Sequence, residues 1–249
     1  MRGFFFIILN PLGMKLFLVY VRDEDYYNLL PEKLSRKRND SRVEVMAFPP
    51  LGIQTLAPVI RQHGHEVKMF DTCHPGMKEK DIANDLLQES PDVIALSFLS
   101  TTSYPACTSM AKKLKETSPG TPIIVGGPFA TSNSVQILND TPYIDFVGVG
   151  EGEELIPDFL DKLDDPGSVL GLTWRKDGKV IKNPPRPLLE DLDKYPYPDR
   201  QSLPVEYIES MPLDVPAVLS LDRFCTMQTT RGCPFNCIYC DIPQIAQGK

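Results

Sequence analysis

Cys233, Cys237 and Cys240 form C-x3-C-x2-C, introduced by Arg231-Gly232 and interrupted by Pro234, Asn236 and Tyr239. Three thiolates this close on a turning loop can bind three irons of a cubane iron–sulfur cluster, leaving the fourth iron open to a small molecule. The alternative is structural zinc with Cys225 as a fourth ligand, yet zinc sites favour two C-x2–4-C knuckles separated by a longer loop, and only one knuckle is present. A redox pair of Cys237 and Cys240 would need a thioredoxin-like unit around it, which the sequence does not offer. Cys225 falls in an expected strand, Phe224–Thr229, and with the isolated Cys73 and Cys107 it reads as an inert core thiol.

Glycine-rich loops are the second chemical feature: Gly126-Gly127-Pro128-Phe129-Ala130-Thr131 and Gly150-Glu151-Gly152-Glu153. Such loops either make tight strand-to-helix turns or let the backbone approach a ligand closely. Dinucleotide binding fits poorly. Gly148, Gly150 and Gly152 miss G-x-G-x-x-G because Glu153 holds the last position, and the unit is the fifth strand instead of the first. No P-loop is present. His63 and His65 flank Gly64 at an expected helix end, where capping or dipole roles are ordinary.

These loops need a scaffold, and the pattern between Lys15 and Leu163 supplies one. Short apolar runs alternate with amphipathic stretches, the texture of strands and helices in a parallel sheet. The expected strands are Lys15–Val21, Val67–Asp71, Val93–Phe98, Pro122–Gly126 and Phe146–Val149, several almost wholly apolar, as strands buried on both faces should be. Tyr104–Thr117 places Cys107, Met110, Ala111 and Leu114 on one helical face, and Glu151–Leu163 does so with Leu155, Ile156, Phe159, Leu160 and Leu163. Five such units are compatible with a flavodoxin-like (Rossmann-like) α/β fold of strand order 2-1-3-4-5. Its ligand site lies beyond the carboxyl ends of the strands, on Asp71–Gly76, Leu99–Tyr104, Gly126–Thr131 and Gly148–Glu153. Asp177-Gly178 between Gly171–Arg175 and Lys179–Asn183 signals a hairpin. From Pro184 to Pro216 proline dominates without period, which reads as an extended linker packed along a surface.

Composition narrows the function. The 249 residues carry a net charge of -7, against the clustered cations that nucleic-acid binding requires. The one basic cluster, Arg36-Lys37-Arg38, sits beside Asp40 as a solvated loop. No apolar run approaches 18 residues, and Phe4 to Leu9 is too short for a span or a secretory segment, so the expected location is the cytoplasm. Six cysteines without a secretion signal point to metal or redox chemistry over disulfides.

The cysteine motif, with Tyr239 before its last cysteine, resembles that of the radical S-adenosylmethionine enzymes. Pro49-Pro50-Leu51-Gly52, Gly64-His65-Glu66-Val67 and the two glycine loops resemble, in order, the cobalamin-binding domain of the cobalamin-dependent branch of that family. The resemblance covers about Lys15 to Asp165 and resumes at the cysteines. It implies a 4Fe-4S cluster on Cys233, Cys237 and Cys240 whose open iron is chelated by S-adenosylmethionine, with electron transfer producing a 5'-deoxyadenosyl radical. It also implies cobalamin, whose flat macrocycle or nucleotide tail needs small residues after strands four and five. The residues expected to contact these cofactors are Ser97, Thr101, Gly126, Gly127, Pro128, Thr131, Gly150, Glu151, Gly152 and Tyr239. A lower-face histidine usually comes in D-x-H-x-x-G; Asp71-Thr72-Cys73-His74-Pro75-Gly76 has other spacing, so His74 reads as a local hydrogen-bonding residue.

The implied reaction is methyl transfer to an unactivated carbon of a small-molecule substrate, with a reducing electron donor as partner. The finer likeness is to the C-methyltransferases of bacteriochlorophyll biosynthesis, acting on tetrapyrroles, or to the anaerobic oxidative cyclase of a magnesium porphyrin ester. A corrinoid-binding module without catalysis and a zinc-stabilised interaction protein are the competing readings. The expected organisation is an N-terminal extension over 1–14, a cobalamin-binding domain over 15–165, a hairpin and proline-rich linker over 166–216, and the start of a radical S-adenosylmethionine β/α barrel over 217–249. Such barrels run to roughly 250 residues, so the expectation is a fragment that binds cofactors without turnover.

Overall fold

The computed structural model describes residues 13–21, 50–72, 79–203, 227–235 and 237–241. Five parallel strands form where expected: β1 (Lys15–Tyr20), β2 (Glu66–Asp71), β3 (Val93–Ser97), β4 (Ile123–Gly126) and β5 (Phe146–Gly148). They lie in the order β2-β1-β3-β4-β5. Between them run α1 (Leu51–Gln62), α2 (Glu79–Glu89), α3 (Tyr104–Thr117), the short α4 (Pro128–Ser132) and α5 (Ser134–Asp140), followed by α6 (Gly152–Asp161).

Both faces of the sheet are covered, so both strand phases are apolar. On one face Phe17, Val19, Leu96 and Val125 pack against Ile82, Leu86, Met110, Leu114 and Ile137 of α2, α3 and α5. On the other, Leu16, Leu18, Ala95 and Ile124 meet Ile53, Ala57 and Ile60 of α1 and Leu155, Ile156, Phe159 and Leu160 of α6. Cys107 lies wholly buried in the first layer, as a core thiol should, and burial pushes its pKa up. His63 follows α1 and its Nδ1 lies 2.9 Å from the Val59 carbonyl. His65 is buried and its Nδ1 accepts the Met14 N–H at 3.2 Å.

The sheet has seven strands where five were expected. The hairpin β6 (Leu172–Lys176) and β7 (Lys179–Lys182) adds antiparallel to the free edge of β5. Asp177 and Gly178 turn it with φ of 49° and 76°, the two positive values a two-residue primed turn requires. Two contacts secure it. Trp174 packs into the α1/α6 layer, and the Arg175 guanidinium donates to the carbonyls of Leu138, Thr141 and Ile144 around the end of α5. Strand pairing of this kind is a long-range choice that local turn chemistry does not encode.

Residues 184–203 contain only one short 3-10 turn, Leu192–Lys194, and run extended along the α1/α6 side. Asp199 pairs with Arg61 and its N–H donates to the Gln54 carbonyl at 2.8 Å, while Leu203 is buried. The expected strand at 224–229 is not seen in residues 227–229, which have no regular structure. Its first part, Cys225, Cys73, His74 and the 36–38 cluster lie outside the described residues.

Candidate functional site

Because strand side chains alternate with period two, Leu18, Ala95, Ile124 and Phe146 form one row across the α1/α6 face. The next positions along β3, β4 and β5 are Ser97, Gly126 and Gly148, with Ser97 paired to Gly126. Side-chain size therefore collapses toward the carboxyl ends of three adjacent strands. Nothing bulky remains to fill the gap beneath α1 and α6, and a cavity of about 600 Å³ opens there.

Its floor is Leu18, Ala95, Ser97, Ile124, Gly126 and Gly148; its walls include Leu51, Gly52, Thr55 and Leu56 of α1 and Gly152, Leu155 and Ile156 of α6. The lining is chiefly apolar with a few polar groups, as small-molecule and cofactor pockets are. The glycines play different parts. A Cβ on Gly126 or Gly52 would meet no protein atom within 4 Å, so these positions leave room for a ligand. A Cβ on Gly127 would lie 2.1 Å from the Phe98 carbonyl oxygen, and its φ of 111° is one that only glycine adopts readily. Gly127 is thus required by the chain's own packing, whereas nothing in that packing requires Gly126. At Gly152 the added atom would touch the Leu56 side chain at 2.9 Å.

Of the expected cofactor contacts, Ser97, Gly126, Gly127, Pro128, Gly150, Glu151 and Gly152 line this one cavity. Thr131 stands behind them: its hydroxyl accepts the Gly150 N–H at 3.2 Å and ties the two glycine loops together. Thr101, at the start of a 3-10 turn, is exposed and Tyr239 is 88% exposed; neither lines the cavity.

Met227, Gln228 and Arg231, from the segment entering the cysteine motif, also line the cavity. Arg231 Nη1 bonds Glu151 Oε1 at 3.0 Å and Nη2 bonds Glu153 Oε1 at 2.5 Å, while Nε donates to Gln228 Oε1 at 3.3 Å. Glu153 is only 4% exposed. Burial alone would lower the Arg231 pKa, but the hydrogen bonds and charges of Glu153 and Glu151 outweigh it and raise it. The other oxygen of Glu151 accepts the Leu189 N–H at 2.6 Å, and Glu154 accepts the Tyr195 hydroxyl at 3.0 Å. This acidic first turn also suits the positive end of the α6 dipole. Glu151 and its neighbours therefore spend their carboxylates on later parts of the chain.

The cysteine loop follows directly. Cys240 N–H donates to the Cys237 carbonyl at 3.0 Å, and Cys233, Cys237 and Cys240 are all unpaired thiols, Cys237 being exposed. Their chemistry suits iron, but among the described residues no three His, Cys, Asp or Glu side chains are gathered around one point. Sequence reasoning quoted Leu51, Gly52, Glu153 and Arg231 within motifs without giving them a contact of their own, and it missed Thr55, Leu56, Met227 and Gln228. The available signals were Arg231 standing two residues before Cys233 and Gly52 opening the apolar stripe of α1.

The site is a pocket at the carboxyl ends of the strands, and residues 45–160 match the B12 binding domain. The chain is 33% identical over 202 residues to an uncharacterized methyltransferase, PH0819, of Pyrococcus horikoshii, covering 80% of this chain and 42% of that protein. It is 28% identical over 204 residues to the anaerobic magnesium-protoporphyrin IX monomethyl ester cyclase of Synechocystis sp., covering 80% of this chain and 39% of the cyclase. The radical S-adenosylmethionine methyltransferase TsrM of Kitasatospora setae, solved with cobalamin and a [4Fe-4S] cluster bound, shares the fold. Its TM-score is 0.55 at 14% identity, over 74% of this chain and 31% of TsrM. Residues 45–160 thus match a B12 binding domain, and about four fifths of the chain is similar to a methyltransferase and a cyclase. The chain spans about two fifths of the length of the two sequence relatives.

Proposed function

We propose that the chain holds cobalamin in the cavity beneath α1 and α6 and presents a 4Fe-4S cluster on Cys233, Cys237 and Cys240, within an enzyme that methylates an unactivated carbon. The observation that carries this reading is the row Ser97, Gly126, Gly148, hollowed at the strand ends and roofed by the segment entering the cysteine motif. Cobalamin supplies a methyl group and the cluster with S-adenosylmethionine a carbon radical, a pairing that serves a carbon with no lone pair to attack a methyl donor. Ser97, Gly126 and Gly148 provide a flat floor without side-chain obstruction. Gly127, held under Phe98, fixes the turn that places Pro128 at the rim. Leu51 and Leu56 of α1 give the cavity an apolar wall, and Arg231 keeps the roof in place. The substrate is a small molecule, with a tetrapyrrole as the leading class, a reducing protein or small carrier supplies electrons, and the enzyme works in the cytoplasm.

A second reading, oxidative cyclisation of a magnesium porphyrin ester, is supported by the relatedness to the Synechocystis cyclase. The product separates the two, since methyl transfer adds one carbon and cyclisation adds a ring. The first test is anaerobic reconstitution with iron, sulfide and hydroxocobalamin, followed by iron and cobalt analysis and an absorption spectrum. About four irons and one corrinoid per chain are expected. Corrinoid without iron would leave a corrinoid-binding module, and zinc with no corrinoid uptake would overturn the proposal.

A further inference from the structure

The ion pairs of Arg231 join the segment entering the cysteine motif to the glycine loop that opens α6. Arg231 stands two residues before Cys233 and some 80 residues after the glycine loop it grips. All three guanidinium nitrogens are engaged, by Glu151, Glu153 and Gln228. Glu151, Gln228 and Arg231 themselves line the cavity, as does Glu153. The cation is mostly shielded, with a side chain 27% exposed against 4% for Glu153. Removing it would strand a buried carboxylate, so the pair is coupled more strongly than an open surface bridge. A planar guanidinium that gives one Nη to each of two carboxylates also fixes direction, which a lysine point charge does not.

We propose that Arg231 is a positioning residue that couples the corrinoid cavity to the cysteine loop. A ligand in the cavity packs against Gln228 and Met227, holds Arg231 on Glu151 and Glu153, and thereby orders the loop that carries Cys233. Iron on that loop, in turn, holds the roof over the cavity. Linkage requires the two effects to be equal: whatever factor iron adds to corrinoid affinity, corrinoid adds to iron retention. This inference rests on the proposed binding of cobalamin and a cluster.

The test measures hydroxocobalamin affinity by absorption titration under anaerobic conditions, on the 249-residue chain with and without iron–sulfide reconstitution. Wild type is expected to bind about fivefold or more tightly after reconstitution. R231M is expected to bind with one affinity in both states and to lose iron faster to a chelator. R231K should restore only part of the coupling. The milder E153Q, which keeps the side-chain volume, guards against a folding defect, and the R231M/E153Q double variant should couple no worse than R231M alone. An R231M ratio equal to that of wild type overturns the coupling while leaving the proposed function intact. No hydroxocobalamin uptake by wild type overturns both.

Discussion

The adjacent glycines 126 and 127 give a sharp test, because side chains added there should fail in opposite ways. At Gly127 the backbone has φ of 111° and ψ of 176°, a region nearly exclusive to glycine that costs other residues about 1–3 kcal/mol. Its Cβ would also sit 2.1 Å from the Phe98 carbonyl oxygen, and relieving such overpacking costs about 1–3 kcal/mol more. G127A should therefore lose roughly 2–6 kcal/mol, a large part of the stability of an ordinary domain. Gly126 has an ordinary φ and open space around its Cβ position, so G126V should fold and melt within a few degrees of wild type. Its side chain would instead project into space the ligand needs. An obstruction of about 1–3 kcal/mol corresponds to a hydroxocobalamin affinity roughly 5- to 150-fold weaker. Urea unfolding followed by circular dichroism reads the first effect, and absorption titration the second. If G126V binds hydroxocobalamin as wild type does, the cavity floor is not where the corrinoid lies. If G127A is as stable as wild type, the packing argument fails.

The edge hairpin and the proline-rich segment should show their anchors independently. Asn183 is buried, donates to the carbonyls of Pro166 at 2.6 Å and Val169 at 2.8 Å, and accepts the Trp174 indole N–H at 3.1 Å. N183A leaves these groups unpaired and should cost about 2–4 kcal/mol in urea unfolding. Burial raises the Asp199 carboxyl, but Ser202, Arg61 and the N–H groups of Ser202 and Gln201 outweigh it and hold the pKa at about 2. With the folded value below the ordinary 3.8, its stabilisation is complete above about pH 4 and lost as pH falls through about 2. Amide exchange around residues 199–203 should accelerate over that window, and D199N should abolish the pH dependence. Iodoacetamide should modify the exposed Cys237 in the native metal-free protein but reach Cys107, buried and with its pKa pushed up, only after denaturation. Peptide mass spectrometry checks both sites.

Much of the scaffold was legible because its signals are local. Each buried strand is an apolar run, and α3 begins and ends at Tyr104 and Thr117 as its periodicity predicts. The glycine loops also announced themselves, since a positive φ or a hollow at a strand end constrains a residue where it stands. Two matters were not legible. Asp177-Gly178 encodes a hairpin but says nothing of which strand edge receives it; Trp174 and Arg175 decide that by packing against β5, α5 and the α1/α6 layer. Likewise the sequence cannot say that Arg231 reaches Glu151 and Glu153.

By itself, then, the order of residues determined the parallel sheet, the end of it where the glycine loops lie, and the thiols that could take iron. The tertiary structure alone decided that Ser97, Gly126 and Gly148 lie side by side as one floor. It also decided that the approach to the cysteines forms the roof of that cavity. The physical reason is that side-chain size and backbone conformation are properties of single positions, whereas a cavity and an ion pair exist only between positions that folding has brought together.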